Sequence, residues 1–512
     1  MEKNLAKVYA AELEGIAARP IEVEVDMNVG LHSFTIVGLA DKALNEAKER
    51  VNSALKNSGA KPPNRENRKI TVNLAPADVK KTGSQYDLAI AIGYLLASQQ
   101  IKPCDTAKKR FVGELALNGE VRGVTGALNI AEMARERGFM ALYLPKENAN
   151  EAAAIKGVDV IPVGSLKDAI DILEGEKNAT PHRFVDEKNK AETLHDFSHI
   201  KGQEHAKRAL TIAAAGGHNM LMIGPPGVGK SFLAQAFGGI LPRLSAPEAI
   251  EITKIWSAAG FPPKGLVATR PFRSPHHTAS VVSIVGGGSN PKPGEISLAH
   301  RGILFLDELP EFPRPVLEAL RQPLEAGVVH VARARGTLAF PARFTLVAAM
   351  NPCPCGFHGD PVKECRCSAN DVMRYQKKIS GPLMDRIDLQ VRVPRVELKE
   401  LREHAAKENV NDGIRQEIET ARGIQKKRFA QFAGTQKIHM NSEMTSRQAE
   451  ETAHLTSDAE QFIESLAGHH LSPRGYYRLL KTARTIADLG AKEEITKNHL
   501  AEAWSYRLRE EA

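Results

Sequence analysis

A glycine-rich octapeptide, GPPGVGKS at Gly224–Ser231, constrains the fold of this chain more than any other stretch of its sequence. The apolar segment NMLMI precedes it and FLAQAFGGIL follows it, so a strand, a tight loop and a helix are predicted in succession. Glycines let the backbone N–H groups of such a loop point at phosphate oxygens, and the helix N-terminus adds partial positive charge. The complete pattern G-x-x-x-x-G-K-[ST] therefore predicts an α/β domain that binds a nucleoside triphosphate.

Two side chains of the octapeptide carry its expected chemistry. Lys230 is expected to reach the β- and γ-phosphates, and the Ser231 hydroxyl is expected to ligate Mg²⁺. A glycine-rich turn without a ligand is the alternative, but the full pattern and its flanking segments disfavour it. The residues expected to bind the nucleotide here are Gly224, Pro225, Pro226, Gly227, Val228, Gly229, Lys230 and Ser231.

Two later apolar segments end in polar residues. ILFLDEL places Asp307 and Glu308 at the carboxyl end of a predicted strand, where ligands bind in α/β sheets. Asp307 is expected to hold the Mg²⁺ shell and Glu308 to polarise the attacking water, unless the two acids only cap the next helix. FTLVAAM ends at Asn351, whose amide either helps to orient that water or forms a turn before Pro352.

Length and patterning predict a soluble, multidomain α/β protein. The 512 residues suggest roughly three domains of about 150 residues, and the net charge of +8 is a mild lean towards polyanions. Strand-like and helix-like segments alternate over 1–174, a polar linker covers 175–197, a second α/β segment covers 198–395, and 396–512 has helical spacing. The N-terminus lacks a signal-peptide core and the longest apolar stretch is too short for a bilayer, so a cytoplasmic protein without membrane partners is predicted.

Four of the five cysteines lie within one stretch, NPCPCGFHGDPVKECRC, which predicts a metal site. In a reducing compartment, clustered thiols favour metal or redox chemistry over structural disulfides. An iron–sulfur cluster, a thiol–disulfide switch and unliganded cysteines are alternatives to zinc, and His358 is an alternative ligand. The predicted ligands of one structural Zn²⁺ are Cys353, Cys355, Cys365 and Cys367.

Several of these segments together resemble one group of ATPases. IKGQ at Ile200–Gln203, the GPPGVGKS and ILFLDEL motifs, the Asn351 strand end and SGPLMDRIDL at Ser380–Leu389 resemble AAA+ ATPases of the magnesium-chelatase and MCM-helicase branch. SPRGYYRLLKTAR at Ser472–Arg484 fits the same branch. Over essentially its full length, the chain resembles the YifB/ComM family of magnesium-chelatase-like ATPases.

The resemblance implies ATP and Mg²⁺ as cofactors and gives roles to two polar side chains. Asn351 would be the sensor-1 residue, and Arg474 would be the sensor-2 arginine. The residues that would line the adenine pocket are Ile200, Gly202 and Gln203.

The resemblance also assigns Arg386 as an arginine finger that reaches the nucleotide of a neighbouring subunit. A finger acting in trans requires a ring, so a homo-hexamer is implied. A planar guanidinium stabilises transition-state charge in a way that lysine does not. A salt bridge from Arg386 to Asp385 or Asp388 is the alternative interpretation.

The segment VVHVARARGTLAFPARF at Val328–Phe344 predicts a β-hairpin by its apolar alternation. In related helicases this hairpin projects into the ring channel, so the resemblance implies that Arg333 and Arg335 near its turn contact DNA phosphates. The alternative is an ordinary solvated, charged turn. His276 and His277 in SPHHT are either part of a channel loop or merely polar loop residues.

The N-terminal segment VKKTGSQYDLAIAIGYL resembles the serine segment of Lon-type protease domains, which have a ribosomal-S5-domain-2-like α/β fold. Ser84 would occupy the nucleophile position. The matching later segment, Gly113–Met133, contains no lysine to take the proton of that serine. We therefore expect a Lon-like fold without Lon-type peptidase chemistry.

The combined expectation is an α/β multidomain ATPase: a Lon-like N-terminal domain, an AAA+ core and a C-terminal helical lid. The resemblance implies a ring-forming, ATP-hydrolysing DNA motor, a branch-migration helicase in homologous recombination or natural transformation. A magnesium-chelatase-like protein-remodelling or assembly ATPase is the alternative, and a non-hydrolysing DNA scaffold is a third interpretation.

Overall fold

A computed structural model describes residues 4–39, 41–65, 67–185, 196–261, 265–288, 290–333, 336–397, 400, 410–432, 438–466 and 471–507. The chain forms two compact units. The first comprises residues 1–189 with 246–268, and the second comprises 190–245 with 269–512.

The first unit is built on a four-stranded sheet and a three-stranded parallel sheet. In the four-stranded sheet, Ala17–Val29 pairs antiparallel with both Leu5–Glu14 and Arg68–Ala75, and Ser33–Val37 pairs parallel with Arg68–Ala75. Every second residue from Ile21 to Met27 is buried, as the alternation in IEVEVDMN predicts. The smaller sheet has the spatial order Lys109–Phe111, Ala141–Pro145, Asp159–Val163, and a short hairpin joins Glu114–Leu115 to Val121–Arg122.

Helices cover these sheets and alternate with strands along the chain, as the sequence pattern predicts. Asp87–Ala97 is almost fully buried, which explains why its sequence is apolar on all sides. The helices of this unit are Lys42–Asn45, Ala47–Asn57, Asp87–Ala97, Ala127–Glu136, Ala149–Ala152, Leu166–Glu174 and Ala246–Ala259.

The helix Ala246–Ala259 belongs to the first unit although it follows the glycine-rich octapeptide in sequence. The carbonyl of Lys254 accepts a hydrogen bond from Asn129 at 3.3 Å, and its ammonium pairs with Glu132. Ile250 packs against a buried cluster that includes Leu128. The segment between the octapeptide and ILFLDEL therefore contributes to the core of the N-terminal unit.

The second unit is organised by a five-stranded parallel sheet. Its spatial order is Phe272–Arg273, Ile303–Leu306, Thr345–Met350, Met220–Ile223, Leu389–Arg392. All residues of the second and third of these strands are buried, because parallel sheets are covered on both faces. The predicted strands NMLMIG, ILFLDE and FTLVAAMN are confirmed, and their carboxyl ends lie along one edge.

Helices pack on this sheet and continue into the C-terminal region. The helices of the core are Glu204–Gly216, Lys230–Ile240, Val281–Val285, Glu295–Leu298, Arg314–Ala319, Arg321–Ala326, Ala369–Gln376 and Gly381–Met384. The helices that follow are Val410–Phe429, Ser446–Thr452, Ser457–Leu466, Pro473–Leu489 and Lys497–Ser505, so the predicted helical C-terminal region is confirmed. Ile418, Leu479 and Ile486 from these helices share one core with the sheet. In the described part of the chain, no helix has the length and apolar character needed to cross a membrane.

The predicted hairpin is present, with Val328–Arg333 antiparallel to Gly336–Pro341. Arg333 is its last residue before the turn, but its side chain lies outside the described part of the structure. Arg335 itself lies outside the described residues. A second short pair joins Gly286–Gly287 to Lys292–Pro293.

Candidate nucleotide site and adjoining metal centre

The octapeptide forms a loop between the buried strand Met220–Ile223 and the helix Lys230–Ile240. Gly229 precedes the helix with φ of 90°, a left-handed conformation that favours glycine. Val393 N–H donates to the Ile223 carbonyl at 2.8 Å and extends the sheet to the start of the loop. The loop therefore has the strand–turn–helix context that its motif requires.

Lys230 is buried at the centre of the loop. Its ammonium donates to the carbonyls of Gly224 at 2.6 Å and Pro225 at 2.9 Å, and to Asn351 Oδ1 at 3.0 Å. Burial lowers the pKa of Lys230, and the nearby carboxylates of Asp307 and Glu308 oppose this shift. The structure thus brings the lysine of the loop and the amide that ends Thr345–Met350 into direct contact.

A pair of oxygen ligands lies beside this lysine. The Ser231 hydroxyl donates to Asp307 Oδ2 at 2.7 Å, although the two residues are far apart in sequence. A hydroxyl and a carboxylate at this spacing suit Mg²⁺, which prefers oxygen ligands and retains several waters. The donor set present therefore fits the cation that the motif implies.

Glu308 has an unusual backbone and an exposed side chain. Its φ is 52°, its N–H donates to Asp307 Oδ1 at 2.9 Å, and its side chain is 54% exposed. The carboxylate lies 3.5 Å from His277 Nδ1, and the His277 ring lies tilted against the His276 ring and makes an edge contact with Phe312. Non-glycine residues with positive φ are enriched at functional sites. The sequence predicts His277 only as a channel-loop or ordinary polar loop residue, because the packing of its loop, rather than any local pattern, brings it to Glu308.

Four thiols converge in the loop that follows Asn351. The Sγ atoms of Cys353, Cys355, Cys365 and Cys367 all lie within 4.8 Å of one another. The Cys353–Cys355, Cys353–Cys365 and Cys355–Cys365 sulfur distances are 3.4, 3.7 and 3.6 Å. This is the spacing of a tetrahedral Cys₄ shell around one thiophilic ion.

The surroundings of the thiols also suit a metal. Backbone N–H groups of Arg366 and Phe357 lower the pKa of Cys355 to about 6. His358 donates its backbone N–H to Cys353 Sγ at 3.3 Å. The four-ligand group consists of cysteines alone, and the cluster is a candidate metal site.

The predicted arginine finger, Arg386, and the predicted sensor-2 residue, Arg474, share one carboxylate. Arg386 pairs with Glu325 and donates to the Pro382 carbonyl at 2.6 Å, while Arg474 lies 3.8 Å from Glu325. The hydrogen bond from Arg386 lowers the pKa of Glu325. Within one chain, Glu325 therefore brings together the side chains predicted to be the finger and the sensor-2 arginine.

Arg386 forms an intrachain ion pair, as the alternative interpretation with Asp385 or Asp388 expects, but the partner is a different carboxylate. The carboxylate that pairs with it is Glu325, whereas Asp388 is occupied elsewhere, at 3.2 Å from His218 and 3.7 Å from Arg478. Asp388 opens the strand Leu389–Arg392, and Arg478 lies on a C-terminal helix. The DRID sequence thus supplies one arginine for Glu325 and one aspartate that ties the sheet to the C-terminal helices.

The segment predicted to contact adenine lies near the start of the loop. Gln203 Nε2 donates to the Pro394 carbonyl at 2.6 Å, next to Val393. Ile200 and Gly202 line a cavity of about 440 Å³. The other described residues that line it are Phe197, Ser198, Lys201, Glu204, Lys207, Arg208, Thr211, Val410, Ile414 and Glu417, with none from the octapeptide.

In the first unit, Ser84 has a carboxylate partner. Its hydroxyl donates to Glu114, and Glu114 lies 3.6 Å from Arg122. The buried Lys81 donates instead to the Pro76 carbonyl. The described surroundings of Ser84 thus pair it with an acid.

Three protein-family models match the N-terminal region, the nucleotide-binding region and the C-terminal helical region of the chain. The family model described as magnesium chelatase, subunit ChlI, matches residues 196–401. A model of subunit ChlI of Mg-chelatase matches residues 23–148, and the model of the ChlI C-terminal region matches residues 409–507.

Individual relatives identify the family more specifically, and two of them match over nearly their full length. The competence protein ComM of Haemophilus influenzae is 42% identical over 519 residues, covering 98% of this chain and 97% of that protein. The YifB protein of Escherichia coli is also 42% identical, over 506 residues and the same shares of both chains. The DNA replication licensing factor mcm6 of Schizosaccharomyces pombe is 23% identical over 75% of this chain and 42% of that protein. With its nucleotide-loop geometry and this near full-length identity, the chain belongs to the YifB/ComM family of magnesium-chelatase-like AAA+ ATPases.

Proposed function

We propose that this protein is a ring-forming DNA motor that hydrolyses Mg-ATP, a branch-migration helicase acting in homologous recombination or natural transformation. One observation carries the ATPase part: Lys230, Ser231, Asp307 and Asn351 meet at one edge of the parallel sheet. Support for DNA as the substrate comes from the names of two relatives, a competence protein and a DNA replication licensing factor.

The residues at this edge divide the work of hydrolysis. Lys230 exchanges the carbonyls of Gly224 and Pro225 for the β- and γ-phosphates of ATP. Ser231 and Asp307 would hold Mg²⁺, which would neutralise developing negative charge. Glu308 accepts a proton from the attacking water, and Asn351 orients that water. The segment with Ile200, Gly202 and Gln203 contacts adenine.

The active form is a homo-hexamer in which each nucleotide lies between two subunits. Arg386 completes the site of the neighbouring subunit, and Arg474 contacts the nucleotide of its own chain. The hairpins Val328–Pro341 project towards DNA, where Arg333 and Arg335 bind phosphates rather than bases. Hydrolysis then moves the hairpins along the strand.

The N-terminal unit is a Lon-like domain of the ribosomal-S5-domain-2 type that lacks peptidase activity. The segment Gly113–Met133 contains no lysine to take the proton of Ser84, and the buried Lys81 donates to the Pro76 carbonyl instead. The domain serves as a docking platform for DNA or a partner protein.

The cysteine cluster holds one structural Zn²⁺. Purified wild type should contain about one zinc per chain, and Cys353→Ser should lose most of it and melt at a lower temperature. Metal analysis with thermal unfolding measures both quantities. Cys104→Ser is the matched control, because Cys104 is outside the four-thiol group. Equal zinc content and stability in wild type and Cys353→Ser would contradict this assignment.

The motor is tested by ATP-dependent dissociation of a four-way DNA junction. Wild type should separate the junction and Lys230→Ala should not, because the variant lacks the ammonium that holds the phosphates. The readout is the appearance of duplex products on a native gel, with ATP hydrolysis measured in parallel. A wild type that hydrolyses ATP but leaves the junction intact rejects branch migration.

A magnesium-chelatase-like remodelling or assembly ATPase is the second candidate, favoured by the three ChlI family matches. The two candidates differ in their response to DNA. A motor hydrolyses ATP faster when branched or single-stranded DNA is present, whereas a remodelling ATPase does not respond. A flat ATPase rate across DNA concentrations favours the second candidate.

A further inference from the structure

The cysteine loop touches the nucleotide loop directly. Gly356, one residue after Cys355, has φ of 86°, and a Cβ added to it would lie 2.7 Å from Pro226 Cδ and 3.9 Å from Asn351 Cγ. A proline ring has no flexible end that moves aside. The backbone of the cysteine loop therefore rests on the second proline of GPPGVGKS without an intervening side chain.

The same loop is attached at two more places around the nucleotide site. Its first residue is Asn351, which accepts a hydrogen bond from Lys230 at 3.0 Å. Further along, Asp360 accepts from Arg395 Nε at 2.7 Å, and the Phe357 ring lies 5.9 Å from the same guanidinium. Arg395 follows the end of the strand Leu389–Arg392, beside the segment that meets Gln203. The loop thus spans from the phosphate side of the site to the predicted adenine side.

Regular secondary structure does not set the shape of this loop, which depends on these contacts and on the four thiols that converge from its two ends. Residues 351–367 contain no helix or strand, and all of them are described. A long loop without secondary structure samples many conformations unless it is cross-linked. A metal that holds all four sulfurs removes most of those conformations at once. Asn351 then remains in contact with Lys230, and Gly356 remains in contact with Pro226.

We propose that the metal bound by Cys353, Cys355, Cys365 and Cys367 shapes one wall of the nucleotide site, so that zinc occupancy controls the affinity for ATP. This inference rests on the proposed function for ATP as the ligand. It makes ATP binding responsive to a thiophilic divalent cation, through the contacts of Asn351 and Gly356.

Two glycines of the loop provide a matched pair of variants. Gly356 and Gly359 both have positive φ, 86° and 73°, so alanine costs backbone strain at either position. A Cβ at Gly359 meets nothing within 4 Å, whereas a Cβ at Gly356 collides with Pro226. Gly356→Ala should weaken binding of a fluorescent ATP analogue by about tenfold at unchanged zinc content, and Gly359→Ala should bind it as wild type does.

Removal of the metal tests the same inference without a mutation. Full-length wild type is stripped with a zinc chelator under reducing conditions, and nucleotide affinity is measured before stripping, after it and after Zn²⁺ is restored. The affinity should fall about tenfold or more and recover with zinc, while circular dichroism shows that both units remain folded. If Gly356→Ala does not fold, this metal-removal experiment decides whether the inference holds.

The outcomes separate the inference from the proposed function. If Gly356→Ala and the metal-free protein bind ATP as tightly as wild type does, the inference is overturned and the proposed function is not. Wild type that contains zinc but binds no ATP overturns the proposed function and the inference with it. Equal loss of affinity in Gly356→Ala and Gly359→Ala also overturns the inference, because general loop strain then explains the effect.

Discussion

Glu308→Gln should lower the rate of ATP hydrolysis by about 10²- to 10⁴-fold while ATP still binds. Glutamine keeps the size of the side chain but accepts no proton from water. Ser231 and Asp307 stay paired at 2.7 Å, and Lys230 is untouched, so the groups that hold phosphates and Mg²⁺ remain. Steady-state phosphate release measures the first effect, and equilibrium binding of a fluorescent ATP analogue measures the second.

Glu311→Gln is the control for this substitution. Glu311 lies three residues further on, is partly exposed and pairs with Lys378 at 3.2 Å. It should change hydrolysis less than about twofold, because an exposed ion pair contributes little to the stability of the fold. A Glu308→Gln protein that hydrolyses ATP at the wild-type rate shows that another group is the base. A wild type without hydrolysis supports the non-hydrolysing DNA scaffold instead.

Arg386→Ala should lower ATP hydrolysis by about 10³- to 10⁵-fold in assembled rings, the range of an arginine finger. In the single chain, Arg386 is paired with Glu325, which also lies 3.8 Å from Arg474. The proposed function requires Arg386 to exchange this carboxylate for the phosphates of a neighbouring subunit in the ring. Arg386→Lys should not restore the rate, since a single ammonium lacks the planar fork of donors.

Mixing experiments test whether Arg386 acts on a neighbouring subunit. A Lys230→Ala subunit has an intact finger, and an Arg386→Ala subunit has an intact nucleotide loop. Mixed rings should regain part of the hydrolysis that each variant lacks alone. Arg447→Ala is the control, because Arg447 is an exposed helix residue paired with Glu451, and it should behave as wild type. Mixtures as inactive as the separate variants contradict action in trans.

The sequence predicted those parts of the fold whose structure depends on residues close together in the chain. The alternation in IEVEVDMN predicts a half-buried strand, and the unbroken apolar runs ILFL and TLVAAM predict strands buried on both faces. The nucleotide loop is also local, because its glycines and its flanking segments determine its backbone. The strand Leu5–Glu14 was not predicted.

Contacts between segments distant in sequence were decided by the tertiary structure alone. Ala246–Ala259 joins the N-terminal core through Asn129 and Lys254, and nothing in its own sequence names those partners. Likewise, the pairing of Arg386 with Glu325 and the approach of His277 to Glu308 depend on how separate strands and helices pack.

The cysteine cluster shows most clearly which features the sequence predicts and which depend on the tertiary structure. Four thiols in seventeen residues were enough to predict a metal site from the sequence, because one short loop brings its own ligands together. That the loop rests on Pro226 through Gly356 was not foreseeable, since this contact joins two loops at the ends of neighbouring parallel strands. The residues by themselves determined the kinds of chemistry this protein carries. Only the parallel sheet, by aligning the carboxyl ends of its strands, placed the nucleotide loop, its acids and the cysteine loop side by side.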